Sequence, residues 1–161
     1  QNRLGMVVGM ALATPLAASV ESTAANDPKE VRQLVNERLQ RQDYSGAVPY
    51  LRQLLKMLGD SKRPDTIQSL ELIYYRLGYC CFFADKPKAA RSAFQDYLVR
   101  YPRGKFNAAV RLYLQQIEQP QDPTALLQGL LRIKPAVPEA VQIRELLRRQ
   151  QAAERRIATN R

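Results

Sequence analysis

The chain has 161 residues, 45% of them hydrophobic and 25% charged, which suits one globular domain or a short repeat array. Its formal net charge of +10 favours acidic partners, phosphates or anionic surfaces, and a solvated helix face is the simpler alternative. The absence of histidine excludes imidazole triads and His metal ligands, and the adjacent Cys80 and Cys81 lack the spacing of a metal site.

The first 26 residues differ from the rest of the chain. Residues 4–18 form an apolar run of small side chains that follows Arg3 and precedes further small residues. This pattern is typical of a secretory signal peptide. A retained membrane anchor is the alternative, but about 15 residues are fewer than the roughly 20 that span a bilayer. We therefore expect export, to the periplasm or cell envelope of a Gram-negative-type bacterium.

From residue 27 onward the pattern predicts helices without strands. Asp27-Pro28 is a helix start, because Asp caps a helix and Pro fits its first position. An apolar stripe follows, a break at residues 42–46 ends it, and a second stripe begins at Ala47. After the linker 59–64, a longer helix is predicted over about 65–84.

The strongest motif lies in residues 71–104. Leu77-Gly78, Ala90, Phe94 and Pro102 follow one another at fixed intervals, with Tyr74 three residues before Leu77. This spacing resembles the tetratricopeptide repeat, a unit of 34 residues that forms a helix–turn–helix. The resemblance implies an all-α fold, an α-solenoid of about three helical hairpins plus a C-terminal helix, which binds other chains and usually catalyses nothing.

Two further units are predicted from this motif. Ala47 marks a first unit over about 28–59, 43 residues before Ala90. Leu112 and Ala125 lie 35 residues after Leu77 and Ala90, and they mark a third unit over about 106–137 in which Gly129 replaces Phe94. A terminal helix over 138–158 follows, which either caps the array or begins another repeat of a larger protein.

The resemblance also implies where a partner binds. In such repeats the first helices line a concave groove, so a protein or peptide partner is expected to contact Arg32, Asn36, Tyr75, Tyr79, Phe82, Asn107, Arg111 and Leu114. Exposed tyrosines suit protein recognition, and the alternative is that Tyr75 and Tyr79 fill the core.

Some members of that family clamp the terminal carboxylate of a peptide with basic and Asn side chains. Arg32, Asn36 and Arg111 match positions of the clamp, whereas Arg76 stands where the family uses Asn and Asn107 where it uses a basic residue. A cationic fork binds any carboxylate, so the match by itself is weakly specific.

Other functions find less support in the sequence. Neither a Gly-rich phosphate loop nor a nucleophile motif is present, so we predict no catalytic residues, no metal and no cofactor. The alternative function is a basic module that binds nucleic acid or an anionic envelope polymer, and a third is self-association through an uncapped repeat end. An export signal argues against nucleic acid.

Overall fold

The structure is a computed structural model that describes residues 26–161. The predicted export signal, residues 1–26, lies outside the described residues except for Asn26. Within the described range the chain forms seven α-helices and no strand, so the prediction of an all-α protein is confirmed. The helices are α1 (Pro28–Gln40), α2 (Tyr44–Leu58), α3 (Pro64–Phe83), α4 (Pro87–Arg100), α5 (Asn107–Glu118), α6 (Pro123–Arg132) and α7 (Ala140–Thr159).

Three helices begin at an aspartate cap. The carboxylate of Asp27 accepts a hydrogen bond from the backbone N–H of Lys29 at 3.1 Å, and Asp122 accepts one from Thr124 at the same distance. Asp43 accepts from the backbone N–H of Gly46 at 2.9 Å. Each carboxylate satisfies an N–H group that has no partner within its helix, which fixes the start of α1, α2 and α6.

Helices that follow one another in the chain pack against one another throughout the described range, and α3 also contacts α5. Only three residues separate α3 from α4, so the two helices must run antiparallel. Gly78 of α3 lies against the ring of Phe94 in α4, since a Cβ atom on Gly78 would fall 2.4 Å from Cε1 of that ring. These two signature residues are therefore in contact.

The turns that end α1 and α3 have the same backbone geometry and lie 43 residues apart. Gln42 and Asp85 both have a left-handed backbone, with φ of 57° and 59°. In each turn the N–H of the left-handed residue bonds the carbonyl three residues back, and the next N–H bonds the carbonyl five residues back. This is a Schellman motif formed without glycine. Ala47 and Ala90, each five residues beyond its turn, are both completely buried.

The junction between α4 and α5 is held by a polar cluster. The Tyr97 hydroxyl donates to Oε1 of Glu71 at 2.9 Å and accepts from the backbone N–H of Phe106 at 3.0 Å. The same Glu71 oxygen accepts from the backbone N–H of Lys105 at 3.0 Å. The cluster satisfies two backbone groups of the turn, and thereby ties the start of α5 to α3 and α4.

The third predicted unit also departs from the first two at the signature alanine. Ala125 was expected to match the buried Ala90, but it is exposed, and Leu126 and Leu127 are buried instead. Among the described residues, only Gln42 and Asp85 have a left-handed backbone, so α6 begins after a different turn. Helix α6 is therefore rotated about its own axis relative to α2 and α4, so that Leu126 and Leu127 face the core in place of Ala125. Leu112 is half-buried, and Pro102 lies exposed after α4.

Candidate binding pocket between α1, α3 and the start of α7

The structure divides the eight predicted groove residues into three groups. Arg32, Asn36 and Arg111 are exposed, whereas Phe82, Asn107 and Leu114 are half-buried. Tyr75 and Tyr79 are 0% and 3% exposed. The expectation that these two tyrosines face an open groove is therefore corrected: both are core residues.

Tyr75 is buried because aromatic side chains from three helices surround it. Its ring stacks on Phe106, with the ring centroids 4.3 Å apart and the planes 12° from parallel. It also contacts Tyr79, Phe94 and Tyr113. Replacing Tyr75 with Ala would consequently open a cavity at the centre of the protein, so such a variant cannot report on surface binding.

Several other predicted residues already have partners within the protein. The Arg32 guanidinium donates to the Ser69 hydroxyl at 3.1 Å, which links α1 to α3. The Asn107 side-chain amide donates to the carbonyl of Pro102 at 2.9 Å. Phe82 packs edge-on against Tyr113, with centroids 5.1 Å apart. Asn36, in contrast, is a predicted groove residue that is exposed and that also borders the pocket described below.

The polar centre of the molecule is Glu139, which sequence analysis missed. Its side chain is 1% exposed, and its Oε2 atom accepts hydrogen bonds from the hydroxyls of Tyr75 and of Tyr113, the latter at 2.8 Å. These partners lie 64 and 26 residues away in the chain. The sequence offers one weak signal, since Pro135 and Pro138 mark an ordered turn that carries Glu139 inward.

Burial sets the acid–base behaviour of this cluster. Loss of solvent raises the pKa of the Glu139 carboxyl above its ordinary value, and the tyrosine hydrogen bonds oppose that rise by favouring the charged form. Burial and the adjacent carboxylate both raise the pKa of the Tyr75 and Tyr113 hydroxyls. The hydroxyls therefore stay protonated, which is the state in which they donate to Glu139.

Beside this cluster lies a pocket of about 200 Å³, which we call the α1–α3–α7 pocket. It is lined by residues of α1, α3, the start of α2, the segment that leads into α7 and the first turn of α7, namely Asn36, Leu39, Gln40, Tyr44, Arg76, Tyr79, Pro138, Glu139 and Gln142.

Four of the lining side chains carry a buried polar atom with no hydrogen-bond partner within the described residues: Tyr44 Oη, Arg76 Nε, Glu139 Oε1 and Gln142 Oε1. Tyr44 and Glu139 are both more than nine-tenths buried. Burial raises the pKa of Tyr44 to about 12, so its hydroxyl remains a donor. A buried polar atom without a partner is costly, so these four atoms mark a polar region of the core beside the pocket.

The described residues offer little for covalent or metal chemistry. No three His, Cys, Asp or Glu side chains within residues 26–161 come together in a way that could hold a metal ion. Cys80 and Cys81 are buried free thiols, and burial raises the pKa of both, which disfavours the reactive thiolate.

Comparisons with protein-family models, with curated proteins and with solved structures find no match to this chain. None of the helices between residues 26 and 161 has both the length and the apolar character needed to cross a membrane.

Proposed function

We propose that this protein is a non-enzymatic scaffold that binds a protein or peptide, built as a solenoid of helical hairpins of the tetratricopeptide type. We further propose, from the pattern of residues 1–26, that it is exported and works in the cell envelope, as part of a larger repeat protein. The surface that binds the partner includes the α1–α3–α7 pocket and the exposed Asn36 and Gln40 at its rim.

The observation that carries this proposal is the repeated hairpin turn. Two turns with the same left-handed residue and the same hydrogen bonds, at Gln42 and Asp85, are each followed five residues later by a completely buried alanine. A shared turn and a shared core position at one spacing support two copies of a structural repeat. Stacked repeats of this kind create extended binding surfaces along their first helices.

The pocket supports a binding role on that surface. Two of the helices that border it, α1 and α3, are the first helices of their hairpins, and they contribute Asn36, Gln40 and Arg76. These lining side chains are polar, which favours specific recognition over apolar contact alone.

A peptide selection tests the proposal. A random-peptide library displayed on phage would be selected on the immobilised chain, and dissociation constants of the enriched peptides measured by fluorescence polarisation. The double variant Asn36→Ala, Gln40→Ala should weaken binding by about thirtyfold, because each of the two lost polar contacts contributes on the order of 1 kcal/mol. Both residues are exposed, so the fold should survive.

The matched control is Arg91→Ala, Gln95→Ala, which changes two exposed residues of α4 that do not line the pocket. This variant should bind the enriched peptides as the unaltered chain does. If both variants lose the same affinity for the peptides, the pocket is not part of the binding surface. If the selection enriches no peptide, the scaffold function itself is contradicted.

A basic surface favours the second candidate, a module for nucleic acid or an anionic polymer. The outer part of α7 and the two residues after it are exposed and rich in arginine, with Arg155, Arg156 and Arg161 beside a single acidic residue, Glu154. Binding of a single-stranded oligonucleotide that rested on these contacts should fall steeply between low and moderate salt. Peptide binding at the pocket should be much less sensitive, so the salt dependence separates the two functions.

A further inference from the structure

A second depression, of about 380 Å³, adjoins the α1–α3–α7 pocket, because Gln40 and Gln142 line both. It lies between the end of α1 and the first half of α7. No Cα atom of α1 lies within 8 Å of one in α7, so the two helices do not pack against each other and their facing sides stay open. We call this depression the α1–α7 trough, and it is lined by Gln40, Gln42, Val141, Gln142, Arg144, Glu145 and Arg148.

Val141 gives the trough an apolar surface that is open to solvent. It is 69% exposed, whereas Ala140 and Ile143 beside it are buried and hold the start of α7 in the core. A single exposed valine on a flat surface is ordinary, but this one lines a concave site whose other lining side chains are polar or charged. An aliphatic side chain of a partner would cover Val141 and remove apolar surface from water.

The trough also carries positive charge that the protein does not neutralise. Arg144 and Arg148 are exposed and lie four residues apart on one face of α7. Glu145 lines the trough as well, but its carboxylate accepts from Arg148 at 2.7 and 2.9 Å and from Arg149 at 2.9 Å, so two arginines offset its charge. Among residues 26–161, no ion pair includes Arg144. Arg144 is therefore available to an acidic group of a partner.

We propose that the α1–α7 trough binds an extended peptide of a partner protein in which an acidic side chain lies close to an aliphatic one. The aliphatic side chain packs on Val141, and the carboxylate pairs with Arg144. The side-chain amides of Gln40 and Gln142 both donate and accept, which suits the backbone of an extended peptide. The inference rests on the proposed scaffold function and names the class of peptide that the scaffold selects.

Other occupants match only part of this surface. A phosphate polymer would pair with the arginines but would leave Val141 uncovered. A purely aliphatic segment would cover Val141 but would take Arg144 out of water without pairing its charge. A basic peptide would meet the like charge of Arg144 and Arg148. An acidic and an aliphatic group together satisfy both features of the trough.

Selection of peptides from three phage libraries on the immobilised whole chain tests the proposal. The first library contains all residue types, the second omits Asp and Glu, and the third omits Lys and Arg. We expect the first and third to enrich peptides with an acidic residue about two positions from an aliphatic one, because side chains two apart in an extended chain share a face. The second library should return at least about tenfold fewer bound phage.

A charge reversal locates the acidic residue of the peptide. Arg144→Glu combined with Arg148→Glu makes the trough acidic, so the second library should now be enriched and the third should not. Arg91→Glu combined with Arg132→Glu is the matched control, because it changes the net charge equally at exposed residues that do not line the trough. This control should keep the preference of the natural chain for acidic peptides.

A substitution of valine locates the aliphatic residue. Val141→Thr keeps the shape of the side chain and replaces a methyl group with a hydroxyl, so the enriched peptides should bind severalfold more weakly in fluorescence polarisation. Val99→Thr, at an exposed valine of α4, is the control and should change nothing.

Four results would overturn the proposal. Equal enrichment from the first and second libraries would show that the trough does not select acidic residues, and an unchanged preference after reversal of Arg144 and Arg148 would place acidic peptides elsewhere. In both cases the scaffold function stands. If a single-stranded oligonucleotide displaces the peptides and binds Val141→Thr as tightly as the natural chain, the trough is a polyanion site. Enrichment from none of the libraries would remove the scaffold function together with this inference.

Discussion

At the residue scale, Glu139 connects most of what distinguishes this protein. One of its carboxylate oxygens joins Tyr75 of α3 to Tyr113 of α5, and the residue also lines the pocket. Its hydrogen bonds offset part of the hydration that this buried carboxylate loses. Arg76 lies close enough to favour its charged form as well. The residue thus serves the core and the pocket together.

The raised pKa of Glu139 predicts a pH-dependent difference between the natural chain and Glu139→Gln. In the unfolded chain the carboxyl loses its proton near its ordinary pKa of 4.5, whereas the folded protein retains that proton to higher pH. The folded state therefore binds more protons in this window, and the contribution of Glu139 to stability falls as pH rises from 4.5. Glutamine has no proton to lose, so Glu139→Gln should gain stability relative to the natural chain as pH rises.

Urea unfolding followed by circular dichroism, from about pH 4.5 to about pH 7.5, measures this difference. Asp43, whose pKa is lowered by the backbone N–H of Gly46, loses its contribution as pH falls, but it does so in both proteins and cancels. Glu154→Gln on exposed α7 is the control and should show no such trend. A constant difference between Glu139→Gln and the natural chain across the range would refute the argument.

At the scale of helices, the second hairpin (α3 and α4) and the third hairpin (α5 and α6) carry their glycine and their aromatic residue on opposite helices. In α3 and α4 a glycine, Gly78, receives the ring of Phe94. In α5 and α6 the positions 35 residues later are exchanged: the aromatic Tyr113 is on the first helix and Gly129 on the second. Tyr113 stacks on Phe94, with centroids 5.0 Å apart, so its ring fills the space between the two hairpins.

This difference predicts opposite results for two glycine substitutions. In Gly78→Ala the new methyl would collide with the Phe94 ring, 2.4 Å away, inside a packed core, which should cost about 1–3 kcal/mol. In Gly129→Ala the nearest atom is Leu112 Cδ1 at 3.3 Å, the flexible end of a half-buried side chain. Alanine also favours a helix by up to about 1 kcal/mol, so Gly129→Ala should be neutral or stabilising.

Chemical denaturation of both variants checks this pair, because each substitution adds the same methyl group to a helix interior. If Gly78→Ala proved as stable as Gly129→Ala, the close approach of α3 and α4 at Phe94 would not exist.

At the scale of the whole molecule, α7 packs into the core at its start and is exposed to solvent at its end. Ala140 and Ile143 near its start are buried, whereas residues 153–161 are all exposed. Its start also completes the pocket with α1 and α3. The segment that leads into α7 therefore joins distant parts of the chain, while the outer turns add a basic surface.

A truncation and a point substitution in this helix should consequently differ sharply. Removing residues 153–161 deletes no buried side chain, so the free energy of unfolding should change by less than about 0.5 kcal/mol. Ile143→Ala, at a completely buried position, should cost about 2–5 kcal/mol. Thermal unfolding of both proteins measures the contrast, and a large loss on truncation would mean that the outer turns pack against the body.

The sequence by itself determined the local structure. Helix starts at Asp27 and Asp122 follow from capping, which involves residues two or three apart, and the apolar periodicity of each helix is equally local. The contact between Gly78 and Phe94 is similarly favoured by local sequence, because a turn of three residues joins their helices.

Only the tertiary structure decided which polar and aromatic side chains are buried. A tyrosine at helical spacing suits a groove or a core, and Tyr75 is in the core because Phe106 and Glu139, far along the chain, surround it. The exposure of Ala125 depends on the rotation with which α6 enters, which spacing does not specify. Capping and periodicity act between near neighbours, whereas burial depends on contacts that form only when distant helices meet.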